Sequence, residues 1–118
     1  MNVESLRTFL LSLPHIAETM QWGDNLVFWV GDKTIGGKMF ALCALDDEPL
    51  QLSVKCEPDL AAQLRASYPA IVPGYHLNKR HWNTITLDGS VPDQMVTDML
   101  GDSYDLVVAS LPKARRPG

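Results

Sequence analysis

The chain has 118 residues, 46% of them hydrophobic and 20% charged, with a net charge of −4. That length suits one domain, which buries roughly two-thirds of its unfolded surface and needs no disulfide or metal to fold. The acidic balance excludes a uniformly basic nucleic-acid binder, and no apolar run approaches the ~18 residues of a membrane-spanning helix.

Residues Met1 to Ser5 lack the basic start and apolar stretch of an export signal, so a cytoplasmic protein is expected, with no membrane partner. Val3, Leu6, Phe9, Leu10 and Leu13 recur at three- and four-residue steps, which predicts a helix capped by Asn2 and stopped by Pro14. Residues His15 to Trp22 fit a short strand leading to a Gly23-Asp24 turn. Leu26 to Val30 is rich in strand formers, with Trp29 expected in the core, and Gly31-Asp32 suits a hairpin loop. The returning strand, Lys33 to Leu45, contains Gly36-Gly37, the mark of a bulge or bend. After the turn Asp46-Asp47-Glu48-Pro49, Leu50, Leu52 and Val54 alternate with Gln51, Ser53 and Lys55, as in a strand with one buried face.

Pro58, flanked by Glu57 and Asp59, opens a second helix whose apolar stripe is Leu60, Leu64 and Tyr68. Pro73-Gly74 suits a turn, and Trp82 to Leu87 alternates as a strand. Ser90 and Asp93 have the spacing of a capping box, and a last helix runs to about Leu111, with Asp98, Asp102 and Asp105 on its outer side. Residues 111–118, including Lys113, Arg115 and Arg116, are expected to be a frayed tail. Consecutive strands joined by tight turns predict an α+β domain, an antiparallel sheet with helices packed on one face. Cys43 and Cys56 belong to no C-x-x-C pair and read as free, buried thiols.

Between Asp59 and Asp88 there is no acidic residue, while Arg65, Lys79, Arg80, His76 and His81 all fall there. The densest part, Pro73-Gly74-Tyr75-His76-Leu77-Asn78-Lys79-Arg80-His81-Trp82-Asn83, crowds hydrogen-bonding side chains beside a turn. Together with Gly37-Lys38-Met39-Phe40-Ala41 and Leu87-Asp88-Gly89-Ser90, it resembles the MmcQ/YjbR family over nearly the whole chain. The resemblance implies a CyaY-like (frataxin-like) fold in residues 1–118 and a DNA-binding role with β-hairpins as paired wings. Frataxins bind iron along an acidic ridge near their first helix; here that helix has only Glu4, so iron delivery does not carry over.

The leading expectation is therefore a non-catalytic protein binding double-stranded DNA. Lys33, Lys38, Lys79 and Arg80 would meet phosphates, with His76, Asn78, His81 and Asn83 as neighbouring hydrogen-bonders. The alternative is a small-ligand or protein-interaction module with a groove lined by Trp22, Trp29, Tyr75 and Trp82. A third reading, an enzyme using His76 and His81 with Cys56 as nucleophile, lacks a base in any recognisable pattern. No cofactor is expected, and two His five residues apart without a third ligand make no metal site.

Overall fold

The structure, a computed structural model, describes residues 1–31, 37–74 and 77–113. Among these, three helices and six strands follow in the order α1 (Val3–Leu11), β1 (Ile16–Gln21), β2 (Asn25–Val30), β3 (Lys38–Ala44), β4 (Gln51–Lys55), α2 (Pro58–Ser67), β5 (Ile71–Pro73), β6 (Trp82–Thr86) and α3 (Asp93–Ser110). The strands form one sheet in the order β1-β2-β3-β4-β6-β5, every neighbouring pair antiparallel. The α+β architecture read from the sequence is thus the one found.

Alternation decides which side of the sheet is dry. Leu26, Phe28 and Val30 of β2, Cys43 of β3, Leu52 and Val54 of β4 and Ile85 of β6 point to the helices. There they join Leu6 and Leu10 of α1 and Val96, Leu100 and Val107 of α3 in one core. Phe40 and Tyr104 meet edge to face at 5.6 Å, and the Tyr104 hydroxyl donates to the Pro14 carbonyl at 2.8 Å, pinning the turn after α1. Asn2 caps α1, its Oδ1 accepting from Ser5 N at 2.8 Å while its own N–H donates to Ser5 Oγ at 3.1 Å. A two-pronged ion pair from Arg7 to Glu18, at 2.7 and 2.8 Å, fastens α1 to the edge strand β1.

Several expectations need correction. The bulge in β3 falls at Phe40, which has no counterpart because Phe28 pairs with Ala41 and Trp29 with Met39; of the glycine pair, Gly36 lies outside the described residues. The β3–β4 ladder ends at Ala41–Val54, and Ser103 of α3 fills in for the next bond. Its hydroxyl accepts from Lys55 N at 2.9 Å and donates to the Phe40 carbonyl at 2.6 Å. Pro73, expected with Gly74 in a turn, ends the edge strand Ile71–Pro73, where a proline's missing N–H costs no ladder bond. Leu60 is exposed, and Ala61 takes its expected place in the core side of α2. Ser90 does not cap α3: its N–H and hydroxyl both donate to Asp88 at 2.9 and 2.6 Å, and Pro92 is the cap residue without a side-chain bond. Trp29 lies outside the core cluster and donates from Nε1 to Thr19 Oγ1 at 2.8 Å. Cys43 and Cys56 are free and buried, as read.

Candidate functional site

β3 and β6 run the same way, both antiparallel to β4, so Lys38, Lys55 and the start of β6 share one end of the sheet. The segment singled out in the sequence sits there. The Asn78 carbonyl accepts from the N–H groups of His81 and Trp82 at 3.2 and 3.0 Å, and its Oδ1 accepts from Arg80 N at 3.0 Å. The two ends of the loop are joined by Gly74 N to the Trp82 carbonyl at 2.8 Å, and Lys79 Nζ donates to the Gly74 carbonyl at 3.0 Å. A Cβ on Gly74 would stand 2.6 Å from that of Trp82, so this approach requires glycine.

Asn83 is fully buried, which removes it from any surface contact. Its Oδ1 accepts from Arg65 Nη1 at 2.8 Å and its amide donates to the Ala61 carbonyl at 3.3 Å, tying β6 to α2. Lys38 is exposed, with Nζ 3.3 Å from both the carbonyl and hydroxyl oxygens of Ser110. Arg80 is exposed and His81 half-buried. Lys33, His76 and Tyr75 lie outside the described residues, as do Arg115 and Arg116 of the tail. Cys56 is buried next to His81, whose carbonyl accepts from its N–H at 2.7 Å. Burial first, then the charges of Asp102 and Glu57, push its thiol up, away from the thiolate a nucleophile needs. Burial alone pushes Cys43 up to about 11.

The opposite side of the sheet, away from the three described helices, holds a groove of about 680 Å³. Two rows of outward-facing residues make its floor: Asn25, Ala44 and Gln51, then Leu42, Ser53 and Thr84. Ser53 and Thr84 face each other across the strands with hydroxyl oxygens 2.8 Å apart, and both are buried. Leu77 closes the groove from the side of the motif loop. At the other end stand the β1–β2 turn, with Trp22 and Asp24, and the β3–β4 turn, with Asp46 and Asp47.

Trp22, one of the aromatic residues expected in a groove, stands in this wall. It is 66% exposed and has φ +49, in the left-handed region that asparagine or glycine occupies more easily. Asn25 steadies the turn by donating from Nδ2 to the Trp22 carbonyl at 2.7 Å. The side chains of Asp24 and Asp46 approach each other across the two turns. That contact, then burial, then the negative charge of Asp24 and Asp47, raises the Asp46 carboxyl above the ordinary aspartate range. Among the described residues lining the groove there is no Lys, Arg or His. In the sequence these three aspartates read as turn residues and nothing more. Only the register, which sets Asn25 against Ala44 and Ala44 against Gln51, brings the two turns together.

Of the aromatic residues expected in a groove, Trp22 lines it, whereas Trp82 is buried behind the motif loop and Trp29 bonds across to β1. Among the described residues no group of three His, Cys, Asp or Glu side chains is placed to hold a metal ion, and no helix is long and apolar enough to cross a membrane.

The chain is similar to the Escherichia coli K12 protein named uncharacterised protein YjbR, at 37% identity over 78 residues, which are 66% of this chain and 66% of that relative. It also resembles uncharacterised protein YbdF of Escherichia coli O157:H7, 31% identical over 93% of this chain and 87% of that one. The crystal structure of the Deinococcus radiodurans protein DR2400, described as a DUF419 domain, superposes with a TM-score of 0.91 at 42% identity, covering 97% of this chain and 84% of the other. A protein from Pseudomonas syringae superposes with a TM-score of 0.76 at 25% identity, over 91% and 99% of the two chains. The YjbR family model matches residues 11–106, a span that takes in the motif loop and both turns of the groove: the chain belongs to the YjbR family.

Proposed function

We propose that this domain is a non-catalytic binding module that takes a small organic ligand in the groove on the face of its sheet away from the described helices. The observation that carries this reading is the groove itself, about 680 Å³ with the exposed Trp22 at its mouth. Ligand pockets run from roughly 300 to 1,000 Å³ and combine apolar walls with a few polar groups. Leu42, Ala44 and Leu77 supply the first here, and Ser53, Thr84 and Gln51 the second. The free, buried thiols fit a reducing compartment, in keeping with a cytoplasmic place of action. The test is amide chemical-shift mapping with small aromatic probes. Saturable shifts at Asn25, Leu42, Gln51 and Thr84 are expected; shifts confined to other surfaces would remove the reading.

A second reading, double-stranded DNA as partner, is favoured by a different observation. Lys38, Lys55, Lys79 and Arg80 gather at the sheet end away from the three aspartates. Lys79 already serves Gly74, and Lys38 serves Ser110, which leaves Arg80 as the exposed cation best placed to lead such a contact. With three or four phosphates contacted, log K against log salt would slope by roughly −3 to −4. Charge reversal at Arg80 is the variant to use, since Lys79→Glu would also break the loop. Absence of binding to labelled duplex at about 50 mM salt and tens of micromolar protein would eliminate DNA as the partner.

A further inference from the structure

The chemistry of the groove wall restricts the ligand further. Resting on the groove reading above, we infer that its ligand is an organic cation with a flat apolar body, the charged nitrogen meeting Asp24 and Asp46 and the body lying against Trp22. Charge sign comes first. Asp24, Asp46 and Asp47 line one end of the groove, and no described lining residue is cationic, so an anion would meet repulsion and no opposite charge. The carboxyls of Asp24 and Asp46 also approach each other across the two turns that close this end of the groove. An N–H-bearing cation placed between the two carboxyls offers donors to both and relieves their mutual repulsion.

The kind of cation follows from what surrounds that pair. A metal ion wants several oxygen ligands converging on one point, and among the described residues no three such side chains do so. An ammonium or amidinium needs only one or two carboxylates and gains from an aromatic face nearby. Trp22 presents such a face, 66% exposed on the same rim. The floor beyond it is apolar at Leu42, Ala44 and Leu77, which a bare inorganic ion or a short hydrophilic amine would leave unused.

Three probes of one shape decide the matter: benzamidine (cation), benzamide (neutral) and benzoate (anion), each titrated into the full chain and followed by amide shifts at Asn25, Gln51 and Thr84. Benzamidine is expected to bind about tenfold more tightly than benzamide, the combined worth of an exposed ion pair and a cation–π contact. Benzoate is expected not to bind. In D24N/D46N the advantage of benzamidine disappears while benzamide is unaffected. Should that variant fail to fold, raising salt with the native chain serves instead: only benzamidine weakens. Equal binding of benzamidine and benzamide, or tighter benzoate, overturns the cation inference and leaves the groove standing. No shift at the groove with any of the three up to about 10 mM overturns both.

Discussion

The motif loop at one end of the sheet and the two-turn rim at the other are built from similar residue types: aromatic, charged and asparagine side chains. They use them in opposite ways. At the motif end Asn78, Lys79 and Asn83 spend their hydrogen bonds on the chain's own backbone and on Arg65. At the rim the carboxylates of Asp24 and Asp46 face each other and Trp22 faces outward from a left-handed turn. The polar-rich block that stands out in the sequence is thus largely a clasp, and the unspent chemistry lies where the sequence shows only turns. A density of functional-looking side chains marks a constrained place, and constraint has two sources, ligand and fold.

The sharpest way to break this comparison is to remove the clasp. Asn83→Ala deletes a buried acceptor for the Arg65 guanidinium and a donor to Ala61. Loss of a charge-assisted bond with partners left unmet predicts about 2–3 kcal/mol of destabilisation in urea titration. If Asn83 belongs to the scaffold, benzamidine shifts in the groove remain at their native values in the folded fraction. A variant that keeps full stability would show that the hydrogen bonds to α2 are dispensable.

Gly74→Ala tests the same clasp through packing. The added methyl would stand 2.6 Å from the Trp82 Cβ and 3.1 Å from its carbonyl oxygen, backbone that cannot swing aside. Overpacking of this kind costs about 1–3 kcal/mol, and the thermal midpoint should fall accordingly. Because Leu77 lies 3.3 Å from the same point and also lines the groove, this variant, unlike Asn83→Ala, is expected to disturb the Leu77 end of the groove as well.

How much of this could be read from the residues alone differs between the elements. Helices α1 and α3 were legible because their apolar spacing, the Asn2 cap and the prolines agree with one another. β5 was not, since three residues ending in proline carry too little pattern, and only pairing with β6 makes Ile71–Pro73 a strand. The stripe expected in α2 holds at Leu64 and Tyr68, which pack against the core, and fails at Leu60, which is exposed while Ala61 is buried beside Asn83. For the site, Trp22 and the segment from Asn78 to Asn83 stand out in the sequence, but nothing in it assigns their roles. Burial separates Asn83 from Asn78, and strand register joins Asp24 to Asp46, 22 positions later. Both are properties of the folded sheet.

Trp22→Asn probes the rim where little stability is at stake. Asparagine accepts the left-handed backbone that tryptophan occupies at φ +49, so folding should change by no more than about 0.5 kcal/mol, and in the stabilising direction. Benzamidine binding should nevertheless weaken about fivefold, with loss of the aromatic face. A variant that binds as before would place the apolar part of the ligand elsewhere; one that unfolds would make Trp22 part of the scaffold after all.

The smallest effect is expected from a single proton, and it works in two directions at once. Asp46 is raised above the ordinary aspartate value by its hydrogen bond to Asp24, by burial and by the charges of Asp24 and Asp47. The folded chain therefore binds that proton more tightly than the unfolded one, so stability contributed by the group is present at low pH and is lost as pH rises from the ordinary toward the raised value. Cation binding runs the other way, because the proton occupies the place the ligand's N–H groups would take: affinity should rise with pH over the same window. Asp24 and Asp47 are the other titratable groups among the described lining residues, and no Lys, Arg or His there supplies an opposing charge. In Asp46→Asn both trends should flatten together, seen as a thermal midpoint and a benzamidine affinity that no longer move in opposite directions between about pH 3 and about pH 7. Thermal midpoints of the native chain that rise with pH through that window, where those of Asp46→Asn do not, would mean that Asp46 gains more from its surroundings as an anion than as an acid, and that the two turns hold each other by something other than a shared proton.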